Sequence, residues 1–319
     1  MPPEGTGDAV DLPEEPRVDE STLLRDIFRA WAGRSSPKHV ETGPGDDACV
    51  LRLNSGGVLL VTVDHAIAGR HFRPDTPMEL VGRKAVARSA SDLAAMGVGL
   101  EWGATLATAA FPPGFPQALA EGLAHGLRAA AEEFGLPLVG GDIASYASEG
   151  TPLTLTVTAL GFSRERPVLR SGASVGDEVW VTGCLGGAWA GERHLRFMPR
   201  LPEAAALRAL LGDRLHAMMD VSDGLGLDLG RLASASGLRI EVESGLLPVS
   251  EGCDWRAAVG DGEDYELAFV AAPGSALPAV LPGGVPLTRI GRAVSGEGCH
   301  VRTSAGVWED VTERGWVHG

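Results

Sequence analysis

Acidic residues beside glycine, serine or another acid recur in six short segments that are scattered over most of the chain. Carboxylates that converge in a pocket of low dielectric constant repel one another strongly, so such a cluster requires cations. Magnesium binds carboxylate oxygens while keeping waters and sharing the phosphate oxygens of a nucleotide. The pattern therefore predicts a magnesium-dependent enzyme that acts on phosphates. The segments are Gly45-Asp46-Asp47-Ala48, Thr62-Val63-Asp64, Ser91-Asp92-Leu93, Gly140-Gly141-Asp142, Asp220-Val221-Ser222-Asp223-Gly224 and Gly262-Glu263-Asp264-Tyr265.

The positions of three acids sharpen this prediction. Asp64 follows the apolar run 58–63, and strand ends in α/β sheets open onto ligand crevices. Asp142 follows two glycines, where backbone N–H groups are open to an anion and the carboxylate to its metal. Asp223 lies at an expected loop-to-helix junction, and a helix N-terminus favours phosphate. Each acid also has a purely structural explanation, which is a helix cap for Asp64 and Asp223 and a plain turn for Asp142.

Other polar residues give weaker signals. Asp92 lies in an otherwise apolar helical stretch, where an acid is rarely buried without a partner. Arg170 could hold a phosphate with two hydrogen bonds, and it is equally well explained as a surface arginine. His71 and His318 are explained as ordinary histidines by their immediate context. The glycine-rich segment 183–187 lacks the lysine of the usual nucleotide-binding loop, and no GxxxxGK[ST] segment occurs.

Composition excludes several classes of protein. The formal net charge is −15 and no run of Lys or Arg occurs, so a nucleic-acid binder is not expected. No apolar run approaches 18 residues, so we expect no membrane-spanning segment. The four cysteines are far apart without a CxxC pair, which argues against a zinc knuckle and a disulfide scaffold. We therefore expect a cytoplasmic protein.

Hydrophobic periodicity predicts the elements that must position these acids. The alternation of helical and strand-like segments indicates an α/β (α+β two-layer) fold with two domains. Residues 1–20 are predicted to be a disordered acidic leader, followed by domains at 21–163 and 168–319 that are separated by a polar turn. Predicted helices cover 22–32, 77–96, 115–134 and 225–235, and predicted strands cover 58–63, 101–109, 136–139, 153–161, 178–182, 238–243 and 265–271.

The order of the motifs is more specific than any one of them. From about residue 22 to the last residue, the series resembles the thiamine-monophosphate kinase family. The motifs are GDDA at 45–48, D-x-x-x-x-G-x-H-F at 64–72, K-A-x-x-x-x-x-S-D-L-A-A-M-G at 84–97, GGD at 140–142, R-S-G-A-x-x-G-D at 170–177, D-x-S-D-G-L at 220–225 and GEDYEL at 262–267. The ending Gly315-Trp316-Val317-His318 also resembles the family's aromatic-x-His C-terminus.

This resemblance implies a fold, a reaction and a set of site residues. The fold is that of aminoimidazole ribonucleotide synthetase, with two α/β domains and a homodimer formed through the N-terminal one, which holds ATP across the interface. The reaction is direct transfer of the ATP γ-phosphoryl group to thiamine phosphate, with several Mg²⁺ and with Asp142 and Asp223 as the critical acids. Implied roles are metal binding for Asp46, Asp47, Thr62, Asp64, Asp92, Asp142, Asp220 and Asp223, ATP binding for Gly141, Arg170 and Ser222, and substrate binding for His71, Glu263 and Trp316.

The chain departs from the family pattern at a few positions, none of which removes a metal-binding aspartate. Val63 replaces a hydroxyl residue, Ile143 replaces a threonine, and Asp261 adds an acid. The segment before 194–200 is shorter than usual, and Gly319 stands where the family commonly has phenylalanine. Two alternatives stay open: another ATP-dependent synthetase of the superfamily, disfavoured because the expected reactive cysteines are missing, and a non-catalytic nucleotide-binding relative.

Overall fold

The computed structural model describes residues 37–316 and, before them, residues 23, 26, 27 and 29–31. These earlier residues are helical, in agreement with the helix predicted at 22–32, whereas the predicted leader, His318 and Gly319 lie outside the described residues. Strands of the first half are β1 (Val40–Thr42), β2 (Cys49–Arg52), β3 (Val58–Ile67), β4 (Trp102–Phe111), β5 (Leu138–Ser145) and β6 (Thr154–Ser163). Its helices are α1 (Met78–Ala95) and α2 (Gln117–Glu133).

The second half contains eight more strands and three more helices. The helices are α3 (Leu201–Leu211), α4 (Leu225–Ser236) and α5 (Trp255–Gly260). The strands are β7 (Glu178–Thr182), β8 (Leu215–Val221), β9 (Arg239–Glu243), β10 (Glu266–Ala271), β11 (Val280–Leu281), β12 (Val285–Val294), β13 (Gly298–Arg302) and β14 (Trp308–Asp310). The prediction of a mixed α/β class is confirmed.

Strands β1–β6 form one sheet in the order β1-β2-β3-β6-β4-β5, antiparallel except for the parallel pair β4 and β5. Alternation along β3 buries Leu60 and Thr62 beneath the helices and leaves Val63 60% exposed on the opposite face. Because strand side chains alternate, the whole of that opposite face is separate from the core. We call it the open face, and its exposed apolar residues include Trp102 and Leu106.

The strand that carries Asp64 is longer than predicted. We expected the strand to end at Val63 and to deliver Asp64 at its end, which is wrong. Pairing with β6 continues through Asp64 opposite Val157 to Ile67 opposite Thr154, so the acid lies inside the strand. Its side chain points to the helix side, because it alternates in step with buried Thr62.

The strand that carries Asp142 also differs from the prediction. We expected a strand at 136–139 that ends before the glycines, but β5 runs from Leu138 to Ser145 and contains them. Glycine is required at 141 because a Cβ atom there would lie 1.8 Å from the Ala107 carbonyl oxygen of β4. Among the described strands, β5 pairs only with β4 and is the edge of its sheet.

Strands β7–β14 form the second sheet, in the order β14-β13-β9-β12-β7-β10-β8 with β11 beside β12. Helix α4 packs on one face of this sheet, where Leu229 and Leu232 join Val181 and Ile240 in the core. On the other face, α3 and the end of α1 share a buried cluster with the sheet. Helix α1 therefore contacts both sheets, and it carries Asp92 to the junction between them. Within the described residues, no helix is both long and apolar enough to cross a bilayer.

Candidate active site

Three carboxylates from distant parts of the chain meet where the two sheets adjoin. Asp47 lies between β1 and β2, Asp92 lies on α1, and Asp220 lies on β8. One carboxylate oxygen from each lies within 4.8 Å of the other two. We call these residues the aspartate cluster. No single secondary-structure element could assemble it, because each member comes from a different one.

Electrostatics within the aspartate cluster favour a bound cation. Burial, followed by the charges of Asp64, Asp220 and Asp47, raises the pKa of Asp92 well above its usual value. Burial and the charge of Asp47 do the same to the pKa of Asp220, and they raise that of Asp46 to about 6. Carboxylate oxygens are the ligands that hard divalent cations prefer, so this donor set fits Mg²⁺.

Two hydroxyl groups orient the cluster. Thr62 donates its Oγ1 hydrogen to Oδ2 of Asp92, and Ser91 donates its Oγ hydrogen to Oδ2 of Asp220 at 2.6 Å. Each aspartate keeps its other oxygen outside that hydrogen bond. Thr62, for which the family resemblance implies metal binding, therefore lies beside the cluster; its role as a ligand stays a prediction.

Asp228 fixes the loop that carries Ser222 and Asp223. Its Oδ2 accepts hydrogen bonds from the backbone N–H groups of Ser222, Asp223 and Gly224, at 3.0, 3.0 and 3.1 Å. Arg231 pairs with Asp228 at 2.8 Å and with Asp223 at 2.7 Å. These contacts hold the Asp223 carboxylate at the start of α4. Sequence reasoning did not select Asp228, although an acid in the first turn of a helix is a recognisable signal.

Two adjacent cavities that share lining residues open from this junction. The larger, of about 970 Å³, is lined by Asp46, Asp64 and Arg170 among others. The smaller, of about 290 Å³, is walled by Trp189, Tyr265 and Trp316 and contains Glu263. Residues that line both cavities are Arg70, His71, Arg88, Ser222 and Asp223. The junction therefore places a large polar cleft directly beside a small aromatic chamber.

A buried lysine lies behind the aromatic chamber and contacts residues that line it. Lys84 on α1 is fully buried and donates hydrogen bonds to the His71 carbonyl oxygen at 2.5 Å and to Oε2 of Glu263. It also lies 2.7 Å from Nδ1 of His194, which stacks on Trp189 with ring centroids 4.5 Å apart. Burial lowers the pKa of Lys84 to about 8, although Glu263 opposes this shift.

Glu263 is held as an anion. Burial alone would raise its pKa, but the hydrogen bond with His194 and the positive charges of Lys84 and Arg88 lower it to about 2. Glu263 and Tyr265 both adopt positive φ angles, of 60° and 52°. This backbone is strained for non-glycine residues, and such strain concentrates at functional sites.

Asp142 and Gly141 are not brought to the aspartate cluster within one chain. Across the first sheet, Asp142 stands opposite Thr108, which stands opposite Thr156 and then His65. Three strand spacings separate Asp142 from His65, or about 14 Å. Asp142 is exposed and lines a separate cavity of about 850 Å³ between β5 and α2.

Every other site residue predicted within the described part of the chain lies at the junction. Asp46 accepts a backbone hydrogen bond from Arg170 at 3.1 Å, and Nδ1 of His71 accepts one from Ile67 at 3.0 Å. Trp316 reaches the chamber because its backbone N–H donates to the Asp223 carbonyl oxygen at 2.7 Å. Three further residues at the junction, Lys84, Arg88 and Trp189, were not predicted from the sequence. Lys84 belongs to one of the motifs given above, whereas no local sequence pattern indicates a role for Trp189.

Comparisons with known proteins agree with this architecture. Residues 45–163 match the family described as AIR synthase related protein, N-terminal domain, and residues 175–303 match its C-terminal domain. The chain is 37% identical over 301 residues to thiamine-monophosphate kinase of Rhodopirellula baltica, covering 88% of this chain and 92% of that protein. It is 35% identical over 291 residues to the enzyme of the same name from Salmonella typhimurium, covering 81% and 86%.

Comparison with solved structures also finds a similar protein. The structure of AaThiL complexed with AMPPCP and TMP superposes with a TM-score of 0.81 at 29% sequence identity. The match covers 96% of this chain and 100% of AaThiL.

Proposed function

This chain belongs to the thiamine-monophosphate kinases and has the fold of the AIR synthase related proteins, and from that premise we propose how its junction carries out the reaction. The activity is ATP-dependent phosphorylation of thiamine phosphate to thiamine diphosphate. The resemblance inferred from the motifs is therefore confirmed. The observation that carries our assignment of residues is the aspartate cluster beside two cavities that share lining residues.

The two cavities differ in a way that assigns a substrate to each. The larger cleft is lined by Arg170, Arg231 and the Ser222 loop, which suit the phosphates and ribose of ATP. The smaller chamber has the volume of a small-molecule site and three aromatic walls. A cationic thiazolium ring is attracted to the faces of aromatic side chains. Thiamine phosphate therefore belongs in the chamber.

Glu263 complements the charge of thiamine phosphate. Its carboxylate is ionised across the physiological range, because its pKa lies at about 2. It lines the same chamber as Trp189 and Trp316, where it would face the rings of a bound substrate. An anion here stabilises the thiazolium cation or accepts a hydrogen bond from the aminopyrimidine. His71 lines both cavities, at the place where the substrate's phosphate must emerge.

Seven residues at the junction have the chemistry to hold Mg²⁺, and we assign them that role. Magnesium, when bound, neutralises the phosphate charge that develops during transfer. The cluster offers carboxylates that already repel one another, so a cation relieves a cost present in the folded protein. The residues are Asp46, Asp47, Thr62, Asp64, Asp92, Asp220 and Asp223.

The protein's part in the transfer is to position two substrates rather than to move a proton. The acceptor oxygen of thiamine phosphate is already an oxyanion near neutral pH, so no general base is assigned. Phosphoryl transfer passes through a loose transition state that is accelerated by alignment and charge stabilisation. The Asp228 contacts hold the backbone from Ser222 to Gly224 rigid on the wall between donor and acceptor. A rigid wall is what alignment requires.

We further propose that Asp142 acts on the site of a second copy of the chain. It lies on an edge strand beside the open face, whose exposed side chains include Val63, Trp102 and Leu106. Apolar surface of this kind favours contact with another protein surface. In a homodimer joined through the open face, Asp142 and Gly141 of the partner subunit would complete the ATP site. The substrate ATP favours the cytoplasmic location that the sequence predicts.

The reaction is tested by product analysis. Purified protein is incubated with ATP, Mg²⁺ and thiamine phosphate, with free thiamine as a parallel acceptor, and the products are identified by mass spectrometry. We expect magnesium-dependent thiamine diphosphate and ADP from thiamine phosphate alone. ADP without thiamine diphosphate would indicate another synthetase of the superfamily, and ATP binding without ADP would indicate a non-catalytic relative.

A further inference from the structure

Arg88 occupies the point where the two cavities meet. It lies on α1, one turn before Asp92, and its side chain is only 11% exposed. It lines both the large cleft and the aromatic chamber. In the K-A-x-x-x-x-x-S-D motif it falls on an unspecified position, so neither the motif nor the predicted site residues include it.

The guanidinium of Arg88 is incompletely hydrogen-bonded. Its NH2 nitrogen donates to Oδ1 of Asp64 at 3.2 Å. Within the described part of the chain, its Nε and NH1 nitrogens are buried and have no hydrogen-bond partner. A buried donor left without an acceptor loses its hydrogen bonds to water and gains none in return, which destabilises the fold. An arrangement with two such nitrogens beside a ligand cavity points to an acceptor that arrives with the ligand.

Two neighbouring cations already have partners. Arg170 uses Nε and NH2 on the Asp47 carboxylate, at 3.1 and 2.7 Å. Lys84 is engaged by His71, His194 and Glu263. Arg88 differs from both because its ion pair uses one nitrogen of three.

A phosphate at this point would otherwise meet negative charge. Asp64 and Glu263 both lie close enough to Arg88 to influence it electrostatically, one towards the cleft and one in the chamber. The acceptor phosphate of thiamine phosphate must lie between these acids to reach the ATP γ-phosphate. Arginine is suited to such a place, because it is always charged and donates several hydrogen bonds to phosphate oxygens.

We propose that Arg88 binds the phosphate group of thiamine phosphate, and that this contact makes the chamber prefer the phosphate ester to free thiamine. The inference rests on the proposed function, because it assumes that thiamine phosphate occupies the chamber. Binding requires the guanidinium to turn towards the cavity. That movement breaks no protein hydrogen bond at Nε or NH1, since those nitrogens make none.

The test compares two ligands on each of four proteins by isothermal titration calorimetry. The proteins are the wild type, Arg88→Gln, Arg88→Lys and the control Arg164→Gln, whose exposed arginine pairs with Glu101 and lines neither cavity. We expect Arg88→Gln to weaken thiamine phosphate binding by about 100-fold, the value of a charge-assisted contact, and to leave free thiamine within about threefold. Arg88→Lys should restore part of the loss, and the control should match the wild type.

The outcomes distinguish a failure of the proposal for Arg88 from a failure of the proposed function. Equal losses for thiamine and thiamine phosphate in Arg88→Gln would overturn the proposal, because they would show that Arg88 only supports Asp64 and the chamber wall. Unchanged binding of both ligands would overturn it as well. If Arg88→Gln fails to fold, by circular dichroism, the comparison is made on Arg88→Lys, which must lose part of the selectivity for the phosphate ester. A wild type that forms no thiamine diphosphate overturns the proposed function itself, and the inference with it.

Discussion

Arg170 holds the carboxylate of Asp47 with two hydrogen bonds, from Nε at 3.1 Å and from NH2 at 2.7 Å. Asp47 belongs to the first sheet's β1–β2 connection, whereas Arg170 lies in the segment that leads to the second sheet. The Asp47 side chain is fully buried. This ion pair therefore joins the two halves of the molecule at the aspartate cluster, and its arginine faces the large cleft.

Loss of this arginine should destabilise the protein strongly. In Arg170→Gln the Asp47 carboxylate stays buried without its counter-ion, which costs about 3–5 kcal/mol. Urea denaturation in the presence of a chelator measures the free energy of unfolding. The control is Arg292→Gln, which breaks an exposed pair with Glu241 and should cost less than about 1 kcal/mol. An equal decrease in the free energy of unfolding of the two variants would show that the buried ion pair stabilises the protein no more than the exposed one.

Asp92→Asn should separate stability from activity. The raised pKa of Asp92 shows that its charge is unfavourable in the folded protein, so the neutral amide should raise the melting temperature in a chelator. Turnover should fall by about 10²–10³, because a group that stabilises the transition-state charge is lost. The melting-temperature increase caused by Mg²⁺ should also shrink. The exposed control Asp213→Asn should change none of the three measurements, and a wild-type magnesium response in Asp92→Asn would contradict the metal assignment.

Two inactive variants should restore activity when they are mixed. Asp142→Asn lacks the acid that we assign to the partner's site, and Asp92→Asn lacks a member of the aspartate cluster. A mixed dimer has one site with both acids intact, so an equimolar mixture should reach about one quarter of wild-type activity. The mixture is assayed after subunit exchange, with each variant alone as its control. Activity no higher than that of the single variants would place Asp142 outside the partner's site.

The pH dependence of the free energy of unfolding should reveal the ionisation of Glu263. Its pKa is lowered in the folded protein from 4.5 to about 2, so it stabilises the fold above pH 4.5 and loses that effect as the pH falls towards 2. Glu263→Gln should therefore be less stable than the wild type at pH 7, and the two should converge as the pH falls through that window. Urea denaturation at a series of pH values measures this. The exposed Glu149→Gln should run parallel to the wild type, and a pH-independent gap for Glu263→Gln would refute the assignment.

Trp189→Ala should affect one substrate only. Trp189 lines the aromatic chamber but not the large cleft, so its loss should raise the KM for thiamine phosphate by about tenfold, the value of one aromatic contact, and leave that for ATP unchanged. Steady-state kinetics with each substrate varied in turn measures both. Exposed Trp308→Ala is the matched control. An equal rise in both KM values would mean that Trp189 supports the junction as a whole.

Much of the fold follows from local periodicity. The strand predicted at 178–182 matches β7, and the helix predicted at 77–96 differs from α1 by one residue at each end. The hydrophobic pattern of each of these elements is strong enough to predict the element from its own sequence. The strand that carries Asp142 was predicted too short because glycine normally weakens a strand, whereas here the backbone of β4 leaves no room for a Cβ at 141. That reason lies in a neighbouring strand and is not visible locally.

The candidate site likewise has a part that local sequence patterns predict and a part that depends on the folded chain. Acidic motifs identified the aspartates, but their meeting depends on α1 bridging two sheets, which no local pattern contains. Trp189 and Lys84 lie 105 positions apart and meet only in the folded chain, with the Lys84 nitrogen 5.4 Å from the indole ring. A residue that we propose to act in the site of a second copy is harder still to place from one sequence. The order of the motifs predicts that Asp142 joins the other metal-binding aspartates. Within one chain, however, it lies on the edge strand of the first sheet, away from the aspartate cluster.

The open face of the first sheet has a consequence for temperature. Burial of apolar side chains such as Val63, Trp102 and Leu106 is driven largely by the entropy of water, and this driving force weakens on cooling. A dimer joined through that face would dissociate more readily in the cold and at low concentration, and it would re-form on warming. Activity lost by diluting the enzyme on ice would then return without any refolding of the chain.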